Sequence, residues 1–202
     1  MASGLVTTLS RPGGNITGVF TLQSELVGKR LELLKEALPR VSRVAVFWDT
    51  YSQRQLDELQ QAAHSLGVQL QSIELRAPYD FQAAFRAVKQ KKADAIVVLF
   101  SPVFYQERAR IAALALEAGL PTMNQEESWV TAGGLISYGP TIAHTFGRAA
   151  YFVDRLLKGA KSSDLPVEQA TSFKLTINLR TAKALRLSIP ESIVLRADEV
   201  IR

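Results

Sequence analysis

Residues 93–100 read Ala-Asp-Ala-Ile-Val-Val-Leu-Phe, and no other segment of the chain is as strongly strand-like. A short continuous apolar run of this kind is typical of a β-strand that is buried on both faces. Ser101-Pro102 follows at once and predicts the end of the strand. Residues 43–48, Arg-Val-Ala-Val-Phe-Trp, form a second run of the same type. The sequence therefore predicts two strands in the interior of one sheet.

Amphipathic helices alternate with these strands along the chain. Apolar residues at helical spacing predict helices over 52–66, 104–118 and 142–158, and Asp80 is expected to cap a further helix. Weaker strand signals lie at 68–75, 120–123, 135–138, 173–178 and 193–197, with short helices at 126–131 and 181–185. Strand–helix alternation implies parallel pairing, because each crossover helix returns the chain to the same edge. The predicted fold class is α/β, a doubly wound parallel sheet.

Composition excludes several classes of protein. The 202 residues are 47% hydrophobic and 21% charged, which is incompatible with a disordered chain. The longest apolar stretch is far shorter than the roughly 20 residues of a membrane helix. Cysteine is absent, so there is neither a disulfide framework nor a cysteine zinc site. The first six residues show neither a basic segment nor an apolar segment, and we expect no signal peptide in this chain.

Sequence motifs of catalysis and cofactor binding are missing. The chain has no glycine-rich nucleotide cradle and no G-x-S-x-G elbow. His64 and His144 are isolated within predicted helices and have no metal-ligand spacing, so we predict no metal, no cofactor and no enzyme activity. The lysines at 89, 91 and 92 lie where a helix is expected to end, where cations complement the helix dipole. We therefore do not predict a nucleic-acid interface from the net charge of +5.

Ligands of doubly wound sheets bind beyond the carboxyl ends of the strands, and this rule selects the candidate site. Free N–H groups at 49–52 favour an anion, whereas the Asp49 carboxylate would oppose an anion or bind an amine. Ser52 is either a ligand contact or the helix cap, and Phe104 either stacks on a ligand or packs in the core. The predicted ligand-binding residues are Asp49, Thr50, Tyr51, Ser52, Ser101, Phe104, Asn124, Tyr138 and Gly139.

Five collinear stretches resemble one family. They are Arg11-Pro-Gly-Gly-Asn-Ile-Thr-Gly18, Lys29-Arg-Leu-Glu-Leu-Leu-Lys35, Gly133-Gly-Leu-Ile-Ser-Tyr-Gly139, residues 157–169 around Leu157-Lys-Gly-Ala-Lys161, and residues 178–200 from Asn178-Leu-Arg-Thr to Leu195-Arg-Ala-Asp-Glu-Val200. Together they resemble the substrate-binding proteins of uncharacterised bacterial ABC transport systems, a group related to a branch that binds tryptophan and other aromatic amino acids. The loop Ser101-Pro-Val-Phe104 departs from the polar motif of that branch, which leaves the ligand open.

The resemblance implies a periplasmic-binding-protein-like (type 1) architecture of two α/β lobes with an incomplete first lobe, because the chain resembles the C-terminal two-thirds of the family. It implies a remnant of the first lobe with the hinge at 1–18, the second lobe at 19–136, a return segment at 137–172 and a crossover segment at 173–202. Thr17, Gly18 and Ser137 are the expected hinge residues, since glycine accepts unusual dihedrals and hinges occupy element ends. Ordinary turns are the alternative for these residues.

The function implied by the resemblance is that of a solute-binding component, with a small molecule such as an amino acid or another carboxylate bound between two lobes by hinge closure. The implied partner is an ABC permease of the inner membrane, which the protein would bind transiently. The full-length family is periplasmic or anchored as a lipoprotein. If the first lobe is incomplete, exposed edges are expected to cause self-association. The alternatives are a standalone flavodoxin-like enzyme acting on a small metabolite and a ligand-sensing interaction domain.

Overall fold

The computed structural model describes residues 6–21 and 24–202 of the chain. Residues 1–5, where the sequence predicts no export signal, lie outside the described residues. Backbone contacts group the described residues into two units. The larger unit holds residues 24–139 and Lys174–Arg202, and the smaller unit holds residues 6–21 and Pro140–Phe173. The four segments expected from the family resemblance stay a prediction.

The described residues form nine strands in two sheets. The strands are β1 (Gly18–Phe20), β2 (Arg43–Trp48), β3 (Gln69–Glu74), β4 (Ala95–Val98), β5 (Thr122–Asn124), β6 (Ile136–Pro140), β7 (Val167–Gln169), β8 (Phe173–Asn178) and β9 (Glu199–Ile201). The larger unit is built on a sheet in the order β3-β2-β4-β5-β6-β8-β9. Parallel pairing joins β3 to β2, β2 to β4, β4 to β5, β5 to β6 and β8 to β9. The predicted parallel α/β sheet is confirmed.

Helices connect the strands in the described part of the chain. They are α1 (Leu26–Ala37), α2 (Gln53–Ser65), α3 (Phe81–Gln90), α4 (Pro102–Gln106), α5 (Arg108–Glu117), α6 (Glu127–Thr131), α7 (Ile142–Leu157), α8 (Leu179–Ala184) and α9 (Glu191–Arg196). The Asp80 carboxylate accepts a hydrogen bond of 2.9 Å from the Ala83 N–H, which confirms the predicted cap. The helix predicted at 104–118 is divided into α4 and α5 at Glu107.

The prediction of a final strand at 193–197 is wrong. Residues 191–196 form α9, and the last strand is β9 at Glu199–Ile201. Ile193 is 3% exposed and packs in the core, whereas Leu195 is 77% exposed, so the apolar run belongs to a helix that buries one face. The helix begins at Glu191, directly after Pro190, and an acid in the first turn complements the helix dipole.

Both faces of the large sheet are covered, and the buried strands divide their side chains between two apolar clusters. Val44 and Val46 of β2 point into a cluster that includes residues of α1, α2 and α8. Phe47 of β2 points to the opposite face, where residues of α3, α5 and α6 cover it. Alternate side chains of a strand point to opposite faces, so a continuous apolar run serves two cores. This arrangement places the carboxyl ends of β2, β4, β5 and β6 along one edge.

The smaller unit contains β1, β7 and α7. β1 pairs in parallel with β7, with Gly18 opposite Val167. In α7 the side chain of Phe152 is buried, whereas Phe146 is 70% exposed and Leu157 is 83% exposed. A bidentate ion pair joins Arg148 and Glu168 at 2.7 and 2.8 Å. Much of the apolar surface of α7 is thus exposed to solvent in the described residues.

No helix within residues 6–21 and 24–202 is long and apolar enough to cross a membrane.

Candidate functional site

Asp49 follows directly after β2 and is the centre of a hydrogen-bond network at the carboxyl edge of the sheet. The residue is 1% exposed. The Oδ1 atom accepts hydrogen bonds from the Tyr51 N–H (3.0 Å) and the Ser52 hydroxyl (3.2 Å). The Oδ2 atom accepts from the hydroxyl groups of Ser101 and Tyr79, the latter at 3.4 Å. Asp49 therefore connects the ends of β2 and β4 with the loop before α3.

Ser52 occupies the position before the first residue of α2, but its side chain does not cap that helix. Its Oγ atom instead accepts from the Asp49 N–H at 2.9 Å and lies within hydrogen-bond distance of the Asp49 side chain. Thr50 and Tyr51 lie between these two buried residues and are exposed, with Tyr51 at 70%. The segment thus holds two polar anchors in the interior and presents Thr50 and Tyr51 to solvent.

Ser101 and Phe104 follow β4, and both are fully buried. The Ser101 hydroxyl accepts a hydrogen bond from the Val103 N–H at 3.2 Å and so caps α4. The Phe104 ring packs edge-on against Tyr79 and Phe81, with centroid separations of 6.0 and 6.1 Å. Phe104 therefore helps to hold the Tyr79 ring in place, because an edge-to-face contact fixes the orientation of both rings.

Tyr79 is half-buried beside Asp49, and its pKa is raised. Burial is the main cause, and the nearby Asp49 carboxylate acts in the same direction. The phenol therefore stays protonated and donates to Asp49 at neutral pH. Sequence reasoning missed Tyr79, because its contact with Asp49 joins residues 30 positions apart and no motif marks it.

Two polar side chains lie side by side at the ends of β5 and β6. Asn124 and Ser137 are Cα partners in the parallel register, and each is completely buried. In the part of the chain that the structure describes, neither the Asn124 amide nor the Ser137 hydroxyl has a hydrogen-bond partner. Buried polar groups of this kind are uncommon in native proteins, and each one demands an explanation. They set this part of the edge apart from an ordinary apolar core.

Gln125, next to Asn124, is 2% exposed and fixes the Trp129 side chain. With its amide oriented to satisfy both neighbours, the nitrogen donates to Val98 O (3.3 Å) and the oxygen accepts from the Trp129 Nε1–H (3.2 Å). Trp129 is 1% exposed and packs in the core. The loop after β5 is therefore fastened to the end of β4.

Gly139 lies at the end of β6, where the backbone of the next loop approaches very closely. A Cβ atom at this position would lie 1.8 Å from the Gln125 carbonyl oxygen. The preceding residue, Tyr138, is half-buried, and its carbonyl oxygen accepts a 2.7 Å hydrogen bond from Arg30 Nε. Only glycine is compatible with this contact, so the ends of β5 and β6 are held together at backbone distance.

Arg30 is a buried cation at the same edge. It belongs to α1 and is 2% exposed. Burial lowers the pKa of the guanidinium to about 9, so the group is still protonated at neutral pH. Sequence reasoning placed Arg30 in a family-like stretch but gave it no role. The signal was its spacing with Val27, Leu31 and Leu34, which puts a charged residue on the buried face of the helix.

The structure brings part of the predicted site together. Asp49, Ser52 and Ser101 are joined by hydrogen bonds, and Asn124 lies opposite Ser137. Tyr138 and Gly139 also lie at the carboxyl end of a strand in the same sheet. The roles of all the predicted residues as ligand contacts, including Thr50, Tyr51 and Phe104, stay predictions.

The expected hinge residues lie at element ends. Thr17 precedes β1, and its hydroxyl donates to the carbonyl oxygens of Leu165 and Pro166, each at 3.0 Å. Gly18 has a φ of 139°, a conformation that residues with a Cβ rarely adopt. Their role in hinge motion stays a prediction, as does that of Ser137.

The larger unit is a doubly wound α/β domain with a polar carboxyl edge, which is the layout of one lobe of a periplasmic-binding-protein-like (type 1) fold. Residues 1–201 match the family described as ABC transporter substrate binding protein, and the chain belongs to that family. The resemblance found in the sequence is thereby confirmed.

Relatives of known name and structure agree with this assignment. A tyrosine-binding protein of Clostridioides difficile (strain R20291) is 26% identical over 203 residues, which are 98% of this chain and 58% of that protein. The ABC domain in complex with L-Trp from Streptococcus pneumonia superposes with a TM-score of 0.86 at 26% identity, covering 100% of this chain and 70% of that structure. A conserved domain protein from Vibrio cholerae gives 0.88 at 27% identity, covering 99% and 68%. The chain thus spans under two-thirds of the tyrosine-binding protein.

Proposed function

We propose that the chain acts as a solute-binding component of a bacterial ABC transport system and that it binds a small molecule at the carboxyl edge of the large sheet. The observation that carries the proposal is the buried Asp49 carboxylate, which ties Ser52, Tyr79 and Ser101 together at this edge. Such a network pre-organises the edge, because its loops do not need to be ordered when a ligand arrives. Membership in the substrate-binding family supports the same function.

The ligand that fits the edge best is a zwitterion such as an amino acid. The Arg30 cation lies beside the ends of β5 and β6, where its positive charge favours a carboxylate. The Asp49 carboxylate at the end of β2 is already bonded to Ser52, Tyr79 and Ser101, so it favours an ammonium group through its negative charge and not by a direct hydrogen bond. The relatives named for tyrosine and crystallised with L-Trp support an amino acid as the class of ligand. The proposal leaves the side chain of that amino acid open, since the Ser101–Phe104 loop departs from the aromatic branch.

The mechanism we propose is closure driven by the ligand. A ligand shifts an open–closed equilibrium by its difference in affinity for the two states. Thr17, Gly18 and Ser137 would supply the backbone rotation, and an ABC permease would bind the closed form transiently. The proposed location is the periplasm, free or lipoprotein-anchored. The proposal includes no catalytic step, no cofactor and no nucleic-acid partner.

Isothermal titration calorimetry of the chain against the twenty amino acids and a set of small carboxylates tests this function. We expect saturable binding of at least one solute. The variant Tyr51→Ala should weaken that binding, because Tyr51 presents a large exposed ring beside Asp49. Tyr151→Ala is the matched control, since Tyr151 is also exposed (43%) but lies on α7 in the smaller unit. Absence of binding across the whole set, or equal weakening by both substitutions, contradicts the proposal.

A further inference from the structure

A cavity of about 590 Å³ lies at the amino edge of the large sheet, opposite the candidate site. Leu38–Val41 join α1 to β2, Asp94 precedes β4, Pro121 precedes β5, and residues 186–188 follow α8. Leu38, Val41, Pro121 and Leu187 form its apolar walls. Small-molecule pockets in proteins range over roughly 300–1,000 Å³. The cavity therefore has the size of a ligand site and lies wholly within the larger unit.

Two arginines give this cavity a positive charge. Arg40 and Arg186 line it, and both are exposed. Within residues 6–21 and 24–202, neither guanidinium forms a hydrogen bond or an ion pair. A cation next to an apolar wall attracts an anion that carries an apolar body, because each part of such a ligand finds its own partner. Both arginines are thus available to a ligand.

The one acid of the cavity does not cancel this charge. Asp94 accepts hydrogen bonds from the Ser42 N–H and hydroxyl and from the Arg43 N–H, and its other oxygen accepts from the Arg43 guanidinium at 3.1 Å. Partial burial opposes ionisation of Asp94, but these hydrogen bonds outweigh it and lower its pKa. The carboxylate is therefore occupied by its own strand neighbours, and its charge is offset by Arg43.

The backbone at Arg186 supports a role for its side chain. Six helices of the described chain end in a residue with positive φ, and at α2, α5, α6 and α7 that residue is glycine, as is usual. At α8 it is Arg186 (φ 55°), and at α3 it is Lys92 (φ 53°). Glycine would fit both positions more easily, because left-handed backbone is unfavourable for residues with a Cβ. At α8, the strained residue places a cation at the rim of the cavity.

We propose that this cavity is a second binding site, which takes a small amphipathic anion: a carboxylate or sulfonate attached to an aromatic or aliphatic body. Arg40 and Arg186 bind the acid group, and the walls formed by Leu38, Val41, Pro121 and Leu187 bind the apolar body. The site is independent of the solute site at the carboxyl edge, since the two lie at opposite ends of the strands.

The probe is 2-naphthoate, compared with uncharged 2-naphthamide, in NMR titrations of the ¹⁵N-labelled full chain. We expect 2-naphthoate to shift the amide signals of residues 38, 40, 41, 94 and 186–188. Arg186→Gly should weaken the binding of 2-naphthoate about fivefold, the effect of one solvent-accessible charge contact. This variant should fold, since glycine accepts the backbone at 186. Arg40→Gln should weaken binding to a similar degree.

Lys92→Gly is the matched control, because it removes the same charge and relieves the same backbone conformation outside the cavity. It should leave the affinity for 2-naphthoate unchanged, and 2-naphthamide should bind all four proteins equally and more weakly. The proposal is overturned if Arg186→Gly and Lys92→Gly have the same effect, if the amide binds as well as the acid, or if the shifted signals lie elsewhere. A solute bound only at the carboxyl edge would leave the signals of this cavity unchanged.

Discussion

Replacing Gly139 by alanine tests the close backbone approach at the end of β6. The added Cβ atom would lie 1.8 Å from the Gln125 carbonyl oxygen and 3.0 Å from the carbonyl carbon. Real Cβ contacts essentially never fall below 3.0 Å, so the two chain segments must separate by at least 1.2 Å. The obstructing atoms belong to the backbone and not to a flexible side chain, so the strain cannot be relieved by a change of rotamer.

The magnitude follows from the cost of overpacking. Forcing one extra carbon into a packed interior typically costs about 1–3 kcal/mol. We expect the upper end, about 3 kcal/mol, because β5, Gln125 and the Tyr138 carbonyl that Arg30 holds must all shift. This value is a large fraction of the stability of an ordinary domain. Solute binding at the carboxyl edge should weaken as well, because the ends of β5 and β6 would separate.

Urea denaturation followed by circular dichroism measures the change, with Gly147→Ala as the control. Gly147 lies within α7, and an added Cβ there meets no atom within 4 Å. Alanine should stabilise that helix by about 0.5–1 kcal/mol. The reasoning is refuted if Gly139→Ala unfolds at the same urea concentration as the parent chain, or if both alanine variants change the stability equally.

Three further predictions follow from other contacts. Asp49→Ala should destabilise the chain by about 3 kcal/mol in the same assay, because buried donors lose their acceptor. Asp57→Ala, at an exposed position, should change the stability by less than about 0.5 kcal/mol, and equal effects of the two substitutions would contradict the role of Asp49. Asp94→Asn should destabilise the chain by about 1–2 kcal/mol at pH 7. Because the pKa of Asp94 is lowered in the folded state, its stabilising contribution is complete above the unfolded pKa and is lost as the pH falls through the folded pKa. A stability difference between the variant and the parent chain that persists undiminished at low pH would contradict this role of Asp94. The exposed Phe146 and Leu157 on α7 predict self-association, which light scattering should detect and which Phe146→Ser with Leu157→Ser should reduce; a monomer at high concentration would contradict it.

The buried strands were predictable because their composition follows directly from their environment. β2 and β4 are covered on both faces, so every residue except Arg43 at the start of β2 is apolar and the runs are easily recognised. The helix at 191–196 was not predictable in the same way, because Ile193 and its neighbours form an apolar run too short to distinguish a helix from a strand. Tertiary packing decided between the two.

The candidate site also contains residues that the sequence predicts and residues that only the structure reveals. The rule that places ligands beyond strand ends found Asp49 and Ser101, and the structure joins them by a hydrogen bond. It could not reveal that Ser52 bonds to Asp49 instead of capping α2, because both arrangements use the same residue at the same position. Nor could it find Tyr79, whose place beside Asp49 depends on how the loop before α3 folds back onto β2. Local sequence specifies strand ends, while contacts between distant loops require the fold.

The central claim is that the carboxyl edge of the large sheet binds a small zwitterionic solute. The most direct test is an NMR titration of the ¹⁵N-labelled chain with each of the twenty amino acids, L-tyrosine, L-tryptophan and L-leucine among them. We predict that at least one of them shifts the amide signals of residues 49–52, 101, 103–104, 124–125 and 138–139 in a saturable manner, while the corresponding amine without its carboxylate does not. If none of the amino acids shifts these signals, or if the amine alone shifts them equally, the account of this site is wrong.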